Sequence, residues 1–284
     1  MTGAVVVGGS RGIGLAVAEL LSAQGFGVVV NGRHAGAVAD AVDGIGGDTV
    51  GHAGSPADPA VADALVDRCV HEFGSIDALV NCAGTPEPRG SSILNVTSGQ
   101  FRELLDAHLL TAFETCRAAA PKMVAQGSGS IVNTSSFAFL GDYGGTGYPA
   151  GKGGVNGLTL AIAAELKGTG VRANVVCPGA RTRLSTGPDY QAQIADLHRR
   201  GLLDEISMQG ALDAAPPEYA AAVYAYLAGD LAEDVSGQIL VAAGGFVGRF
   251  DRRTPSLLAY RDHHGSPPWS VAELEGIVRG NRQT

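Results

Sequence analysis

Short apolar segments alternate with longer amphipathic segments along most of the chain. The apolar segments are rich in Val and show no polar alternation, which is typical of strands buried on both faces of a sheet. They are 4–7, 27–30, 78–80, 130–133, 172–176 and 238–241. The amphipathic segments between them predict helices near 12–24, 59–73, 99–125, 149–167 and 216–228. Strands that alternate with helices predict an α/β fold with a doubly wound parallel sheet.

Two regions interrupt this alternation. Residues 181–215 are rich in Arg, Gly and Pro and have poor periodicity, so we interpret them as a mobile segment that covers a substrate site. Residues 246–284 follow the last predicted strand, and their apolar spacing predicts one short helix between Trp269 and Val278. A chain of 284 residues suits a single core. We therefore expect one domain over 1–245 and a C-terminal extension over 246–284.

Charge and hydropathy argue against two kinds of partner. The formal net charge is −8, and a chain without a basic face is not expected to bind nucleic acid. No apolar run reaches the roughly 18 residues of a membrane span, and the N-terminus lacks the layout of a signal peptide. We therefore expect no membrane partner and a location in the cytoplasm.

The residue types that bind metals show no ligand spacing. The four cysteines form neither a C-x-x-C motif nor a zinc-ligand pattern, so we expect reduced thiols. Adjacent side chains diverge in regular structure, so we interpret His263 and His264 as an exposed pair and expect no metal site. The cysteines are Cys69, Cys82, Cys116 and Cys177.

A glycine-rich turn joins the first predicted strand to the first predicted helix. Its backbone N–H groups would lie at the positive end of the helix dipole, where a pyrophosphate can bind. Glycines also serve tight turns alone, but a turn between a buried strand and a helix favours a nucleotide site. The predicted nucleotide contacts in this turn are Gly8, Ser10, Arg11, Gly12, Ile13 and Gly14.

The end of the second predicted strand indicates which dinucleotide binds. A site for NAD usually has a carboxylate here that binds the ribose 2′-hydroxyl, whereas this chain has Asn31-Gly32-Arg33. Arg33 and Arg11 could bind a 2′-phosphate through charge-assisted hydrogen bonds. We therefore predict NADP(H) in preference to NAD(H), with an exposed surface charge as the alternative role of either Arg.

Tyr148 and Lys152 carry the predicted proton chemistry. They are four residues apart on a predicted helix, so both side chains lie on one face. A free phenol has a pKa of about 10, and a nearby ammonium favours the phenolate and lowers that pKa. The Lys152 ammonium could also hydrogen-bond a cofactor ribose. Ser136 would supply a hydroxyl that holds and polarises a substrate carbonyl.

The order of these motifs makes residues 3–245 resemble the short-chain dehydrogenase/reductase family. The motifs are the glycine turn, Asn81-Cys82-Ala83-Gly84, the Ser136–Tyr148–Lys152 set and the Pro178-Gly179 turn. The resemblance implies a Rossmann fold and an NAD(P)-dependent oxidoreductase with a C-terminal extension. It implies a homodimer or homotetramer that pairs through the helices 99–125 and 149–167. It further implies nucleotide contacts from Asn81, Ala83, Gly84, Tyr148, Lys152, Pro178 and Gly179.

The resemblance leaves the catalytic serine open between two neighbours. Counted from the predicted strand, Ser136 occupies the family's catalytic place, whereas the commonest spacing back from Tyr148 selects Ser135. We favour Ser136, because loop length varies more easily than strand register.

The chain departs from the family pattern at several positions. Val7 replaces the usual Thr and Ser55 replaces an Asp that contacts adenine, so two hydrogen bonds to the nucleotide are lost. His108 replaces an Asn that supports a water chain from the lysine to solvent. A His can donate, accept and titrate near neutrality, so we count it as a candidate catalytic residue in a pH-sensitive relay. Simple packing is the other interpretation.

The leading hypothesis is an NADP(H)-dependent enzyme that interconverts a ketone and a secondary alcohol, with Tyr148 as general acid and base. The long tail resembles that of family members acting on acyl thioesters or on polycyclic natural-product or steroid-like ketones. The losses at Val7, Ser55 and His108 motivate a non-redox alternative, namely dehydration, cyclisation or epimerisation. A non-catalytic nucleotide-binding protein is a third hypothesis, against which the intact Ser–Tyr–Lys set counts.

Overall fold

A computed structural model of the protein describes residues 1–143, 145–182, 185–251 and 255–280. The chain divides into two compact units, Met1–Phe250 and Asp251–Thr284. The first unit contains a sheet with helices on both faces, and the second contains the last helix of the chain.

One sheet forms the centre of the first unit. Its strands are β1 Gly3–Val7, β2 Gly27–Gly32, β3 Thr49–Ala53, β4 Ala78–Asn81, β5 Gly129–Thr134, β6 Val171–Gly179, β7 Ile239–Ala243 and β8 Phe246–Arg249. The strand order is β3-β2-β1-β4-β5-β6-β7-β8. Neighbours pair in parallel except β8, which is antiparallel to β7. The order reverses between β1 and β4, so the predicted doubly wound parallel sheet is confirmed.

Helices cover both faces because the strands alternate their side chains between two apolar clusters. Ala4 and Val6 of β1 pack with the first cluster, and Val5 and Val7 pack with the second. The helices are α1 Gly12–Ala23, α2 Ala35–Ile45, α3 Pro59–Phe73, α4 Ser98–Leu105, α5 Thr111–Gln126, α6 Gly147–Glu165, α7 Pro188–Arg199, α8 Glu205–Leu212, α9 Pro217–Ala228 and α10 Val271–Gly280. The first cluster includes α1 and α9, and the second includes α3 and α5. Among the described residues, no helix is both long and apolar enough to span a bilayer.

The structure contains elements that the hydrophobic pattern did not predict. Strand β3 lies at the edge of the sheet and pairs only with β2, so its sequence lacks a continuous apolar run. Helices α7 and α8 occupy the segment 181–215, which was predicted to be irregular. Helix α7 buries Ile194 and Leu197, three positions apart on one face. Residues 183 and 184 of this segment lie outside the described residues.

The helix predicted over 99–125 is not uniform. Helix α4 ends at Leu105, a π-helical turn covers Asp106–Leu110, and α5 begins at Thr111. A π-helical turn bonds i to i+5 and inserts an extra residue, and such turns are frequent at functional sites. His108 lies in this turn and is 3% exposed.

The first unit extends beyond the boundary predicted at Gly245. Strand β8 pairs with β7, and Phe250 then packs edge-on against Phe137 and Phe139 with ring centroids 5.7 and 5.1 Å apart. The unit therefore ends at Phe250. The apolar spacing did not show β8, because most of its side chains are exposed.

In the second unit, Arg261 connects Trp269, which precedes α10, with Glu273 in the first turn of α10. The Arg261 guanidinium lies 3.6 Å from the centroid of the Trp269 ring and donates to Glu273 at 2.5 Å. His263 and His264 are exposed, as predicted. Their ring centroids are 4.1 Å apart, so the expectation that the two side chains diverge is wrong.

A buried and an exposed isoleucine allow the contribution of the core to the free energy of unfolding to be measured. Ile131 of β5 is fully buried, whereas Ile206 of α8 is 82% exposed. We expect Ile131→Ala to lower the free energy of unfolding by about 2–5 kcal/mol, because it leaves a cavity, and Ile206→Ala by less than about 0.5 kcal/mol. Urea unfolding followed by circular dichroism measures both values. Equal losses in the two variants would contradict the placement of β5.

Candidate active site

The glycine turn between β1 and α1 has no room for side chains at the key positions. Gly8 and Gly12 have φ angles of +74° and +55°, which favour glycine. A β-carbon at Gly8 would lie 2.7 Å from the backbone nitrogen of Ala83, and one at Gly14 would lie 2.3 Å from the carbonyl oxygen of Gly8. The turn therefore packs closely against the segment that follows β4, which includes Ala83 and Gly84.

The first turn of α1 offers backbone donors to an anion. Among the described residues, no side chain caps this helix at Arg11, and no acidic residue lies in its first turn. A β-carbon at Gly32 would lie 2.7 Å from the Ser10 hydroxyl, so the end of β2 contacts the turn. Arg11 and Arg33, the residue after β2, are both exposed. These residues fit a phosphate-bearing dinucleotide, while the side chain of Ile13 packs on the core.

The turn after β6 reaches the same place. Pro178 and Gly179 end β6 beside Ala242 and Ala243 of β7. A β-carbon at Gly12 would lie 3.6 Å from the methyl carbon of Thr182. The predicted contacts from β1, β4 and β6 therefore converge at the carboxyl edge of the sheet, where ligands bind in doubly wound folds.

Helix α6 brings Tyr148 and Lys152 to this edge. The Lys152 ammonium lies 5.7 Å from the centroid of the Tyr148 ring and donates to the carbonyl oxygen of Thr134 at 2.8 Å. Lys152 is 3% exposed. The four-residue spacing thus brings the phenol and the ammonium together, as the sequence predicts.

The two candidate serines have different partners. The Ser135 hydroxyl is buried and donates to the backbone carbonyl of Lys152 at 3.1 Å. The Ser136 hydroxyl accepts from the backbone nitrogen of Ala138 at 3.2 Å and lies near enough to the Tyr148 phenol to lower the pKa of that phenol. Ser135 therefore supports the backbone of α6, and Ser136 lies beside the Tyr148 phenol.

Burial dominates the electrostatics of the pair. It lowers the pKa of Lys152 to about 8. It also raises the pKa of Tyr148 above its ordinary value, and the nearby Ser136 hydroxyl offsets only part of that rise. The spacing of Tyr148 and Lys152 predicts a lowered pKa for the phenol, whereas the structure gives a raised one. Removal of the phenol from water outweighs the distant ammonium, so Tyr148 is held in its protonated form.

His108 packs against Tyr148 with its ring edge-on, at a centroid distance of 4.8 Å. Its Nε2 lies 2.9 Å from the carbonyl oxygen of Thr85, which requires the proton on Nε2. Its Nδ1 is buried and has no hydrogen-bond partner among the described residues. A β-carbon at Gly84 would lie 3.1 Å from that Nδ1 and 3.9 Å from the Lys152 ammonium. The unpaired acceptor therefore faces the region of the ammonium.

The environment of His108 does not favour titration near neutral pH. Burial, assisted by the charge of Lys152, lowers the pKa of the imidazole to about 3. The ring is therefore neutral throughout the range in which it was expected to titrate. It can accept a hydrogen bond at Nδ1 but does not gain or lose a proton near neutrality.

The side chain of Asn81 makes hydrogen bonds within the protein. Its amide donates to Asn133 at 2.8 Å and its oxygen accepts from Thr115 at 3.0 Å. A contact of Asn81 with the nucleotide is therefore limited to its backbone. Cys82 and Cys177 are free thiols whose pKa burial raises to about 11, which suits packing rather than nucleophilic chemistry.

The sequence analysis missed two tyrosines beside the site. Tyr143 and Tyr190 pack with an apolar cluster formed by α7 and α8. Burial raises the pKa of Tyr190 to about 12, with further contributions from nearby Tyr143 and Tyr148. The spacing of Tyr190, Ile194 and Leu197 is helical and could have indicated this face of α7.

Comparisons with known proteins agree with this architecture. The family model for short chain dehydrogenases matches residues 2–187. A 3alpha-hydroxysteroid dehydrogenase of Mediterraneibacter gnavus is 34% identical over 85% of this chain and 95% of its own length. The 3-oxoacyl-(acyl-carrier-protein) reductase FabG of Staphylococcus aureus is 32% identical over 85% of this chain and 96% of its own.

A solved structure is also similar. A short chain dehydrogenase from Mycobacterium avium superposes with a TM-score of 0.80 at 31% identity, covering 98% of this chain and 93% of that one. The chain belongs to the short-chain dehydrogenase family. Its Rossmann fold and its oxidoreductase class follow from that membership.

The burial of neutral His108 makes the stability of the protein sensitive to acid. The pKa of His108 is about 3 in the fold, against an ordinary value of 6.5 for the imidazole. Between these pH values the unfolded chain binds the additional proton, so this residue removes stability as the pH falls through that window. We expect His108→Asn to lose less stability than the wild type between about pH 7 and about pH 4. Urea unfolding at both pH values measures the difference.

His264→Asn, at an exposed position, is the matched control for this measurement. An equal change in acid sensitivity for the two variants would contradict a buried, neutral imidazole at position 108.

Proposed function

We propose that the protein is an NADP(H)-dependent oxidoreductase that interconverts a ketone and a secondary alcohol. The observation that carries this proposal is the Tyr148 phenol, which shares one helix face with Lys152 and lies near enough to Ser136 for that hydroxyl to lower the pKa of the phenol. This group lies at the edge of the sheet where the glycine turn offers donors to a dinucleotide. Ser136, Tyr148, Lys152 and His108 are the proposed catalytic residues.

Tyr148 is the proposed proton donor and acceptor. Its raised pKa keeps the phenol protonated at neutral pH, so it is ready to give a proton to a ketone oxygen. The Ser136 hydroxyl orients and polarises that oxygen. Bound NADPH supplies the hydride to the carbonyl carbon.

Lys152 and His108 support this proton transfer. The Lys152 ammonium stabilises negative charge on the phenol once the proton has left, and it is a donor to the nucleotide ribose. The unpaired Nδ1 of His108 is an acceptor for a water hydrogen-bonded to the ammonium. In this role His108 holds a hydrogen bond and does not titrate.

The proposed preference for NADP(H) rests on two exposed cations and on a missing carboxylate. Arg11 and Arg33 flank the junction of the glycine turn with β2, where a 2′-phosphate can receive their hydrogen bonds. The residues that end β2 and follow it include no carboxylate to hold a 2′-hydroxyl. The proposed nucleotide contacts are Gly8, Ser10, Arg11, Gly12, Ile13, Gly14, Arg33, the backbone of Asn81, Ala83, Gly84, Tyr148, Lys152, Pro178 and Gly179.

The substrate is proposed to be an apolar ketone or alcohol. Tyr190 belongs to the apolar cluster of α7 and α8 and lies near enough to Tyr148 for that phenol to raise its pKa, so this cluster suits a ring or an alkyl chain. The segment 181–215 is therefore the proposed substrate-binding segment. The relatives named for hydroxysteroid and 3-oxoacyl substrates support polycyclic ketones and acyl thioesters as the first compounds to test. A homodimer or homotetramer in the cytoplasm is part of the same proposal.

The proton role of Tyr148 is tested by removing its hydroxyl. We expect Tyr148→Phe to lower kcat by about 10²- to 10⁴-fold, because the variant lacks the hydroxyl that is proposed to give the proton to the ketone oxygen. NADPH oxidation is followed by absorbance with steroid ketones, cyclic ketones and 3-oxoacyl thioesters. Tyr219→Phe, at a 58% exposed position of α9, is the matched control and should retain full activity. Undiminished turnover by Tyr148→Phe would overturn the mechanism.

The nucleotide preference is tested at Arg33. We expect Arg33→Ala to weaken NADPH binding by about 10- to 100-fold and to leave NADH binding unchanged, because only the former has a 2′-phosphate. Titration of each nucleotide with fluorescence detection gives both dissociation constants. Arg102→Ala, exposed on α4, is the control. Equal effects on the two nucleotides would show that Arg33 does not read the phosphate.

A further inference from the structure

The helix that carries Tyr148 and Lys152 begins without a local cap. Thr146 is the N-cap residue of α6, and its side chain makes no capping hydrogen bond. The first backbone N–H groups of a helix have no partner within the helix and need acceptors from elsewhere. At α6 these N–H groups belong to Thr146, Gly147 and Tyr148. The backbone N–H of the proposed proton donor, Tyr148, is therefore one of the groups that need an acceptor from elsewhere.

Glu87, from the loop after β4, supplies that acceptor. One carboxylate oxygen, Oε1, accepts from the backbone nitrogens of Thr146 at 3.2 Å and Gly147 at 3.3 Å. The other, Oε2, accepts from the backbone nitrogen of Tyr148 at 2.5 Å. A negative charge at the positive end of the helix dipole strengthens all three hydrogen bonds. A residue about sixty positions away in sequence therefore caps the catalytic helix.

The surroundings of Glu87 are shaped around its side chain. The Ser91 hydroxyl donates to Oε1 at 2.8 Å and fixes the carboxylate from its own loop. Gly145 has a φ angle of +79°, and a β-carbon there would lie 2.8 Å from Cγ of Glu87. Position 145 thus needs glycine both for its backbone and for the space that Glu87 fills.

The same loop also holds the second ring of the site. Thr85, two residues before Glu87, accepts the hydrogen bond from Nε2 of His108. His108 and Tyr148 then face each other at 4.8 Å. The loop that contains Thr85 and Glu87 therefore holds both side chains. The Thr85 carbonyl holds the His108 imidazole, and the Glu87 carboxylate holds the backbone nitrogen of Tyr148.

We propose that Glu87 is a positioning residue that places the Tyr148 phenol for proton transfer by holding the first turn of α6. The proposal rests on the proposed role of Tyr148. Because the carboxylate holds the backbone nitrogen of Tyr148 itself, its loss displaces the phenol relative to Ser136 and His108. A misplacement of about 1 Å at a reacting group can lower the rate by about 100-fold.

Three variants separate positioning from general stability. Glu87→Ala removes both acceptors. Glu87→Gln keeps one acceptor oxygen and removes the charge. Glu233→Gln, at an exposed position that follows α9, makes the same change of charge outside α6 and outside the helix α4 that packs on it, and is the matched control. All three are measured as the full-length chain.

The first measurement is hydrogen exchange of the peptide that covers Gly147–Ala150, and it does not depend on turnover. We expect this peptide to exchange at least about tenfold faster in Glu87→Ala than in the wild type, because its amides lose their acceptors. Glu87→Gln should give an intermediate rate and Glu233→Gln the wild-type rate. Wild-type exchange in Glu87→Ala would overturn the capping, whatever the protein catalyses.

The second measurement separates kcat from KM with NADPH and the best ketone of the panel. We expect Glu87→Ala to lower kcat by about 10- to 100-fold with little change in the KM for NADPH, and Glu87→Gln to restore most of the loss. Removing the negative charge favours the phenolate, so the pH profile of Glu87→Gln should shift to lower pH. Glu87 would be only a structural cap if the activity of each variant fell in proportion to its folded fraction and the pH profile of Glu87→Gln matched that of the wild type.

Failure of the proposed function gives a different result. If Tyr148→Phe keeps its turnover, the phenol is not the proton donor. The positioning proposal is then overturned as well, even if the amides of Gly147–Ala150 exchange faster in Glu87→Ala. If Tyr148→Phe is inactive while Glu87→Ala keeps wild-type kcat, only the positioning proposal is overturned.

Discussion

The parallel direction of the central strands is the constraint on which the rest of this protein depends. Parallel strands end at the same edge of a sheet, so the segments that follow β1, β4, β5 and β6 must meet there. The glycine turn, the Ala83–Gly84 segment, the serine pair and the Pro178-Gly179 turn are those segments. Residues from Gly8 to Gly179, more than 170 positions apart in the sequence, thereby lie at one cleft.

The cleft sets its chemistry by excluding water. A buried ammonium has a lowered pKa and a buried phenol a raised one, and the two shifts have the same physical cause. The neutral imidazole of His108 extends the pattern, since burial next to a cation makes its charged form unfavourable. The site therefore combines a protonated phenol, a neutral ring and an ammonium that is close to losing its proton.

Sequence reasoning succeeded where local pattern and three-dimensional position coincide. Continuous Val-rich runs marked the central strands, a four-residue spacing placed Tyr148 and Lys152 on one face, and glycines marked the turn that needs positive φ angles. It missed β3, β8, α2, α7 and α8, because each of these elements buries few apolar side chains.

Sequence reasoning also could not find features that depend on contacts between distant segments. The pKa of His108 follows from its depth in the fold and from Lys152, and neither can be read from the residues around it. Glu87 caps a helix about sixty positions later, and a carboxylate in a polar loop carries no signal of that partner. Resemblance named the candidate catalytic residues, whereas the residues that hold them in place were found only in the structure.

The π-helical turn at Asp106–Leu110 limits how the length of the chain can vary. Each residue of a regular helix advances the side chains by about 100° around the axis. Deleting one residue here would restore a regular helix and rotate α5 relative to α4 by about that angle. Thr115 would then leave Asn81, and His108 would leave the ring of Tyr148. Insertions and deletions are therefore expected in the exposed loops of related chains but not between Leu105 and Thr111.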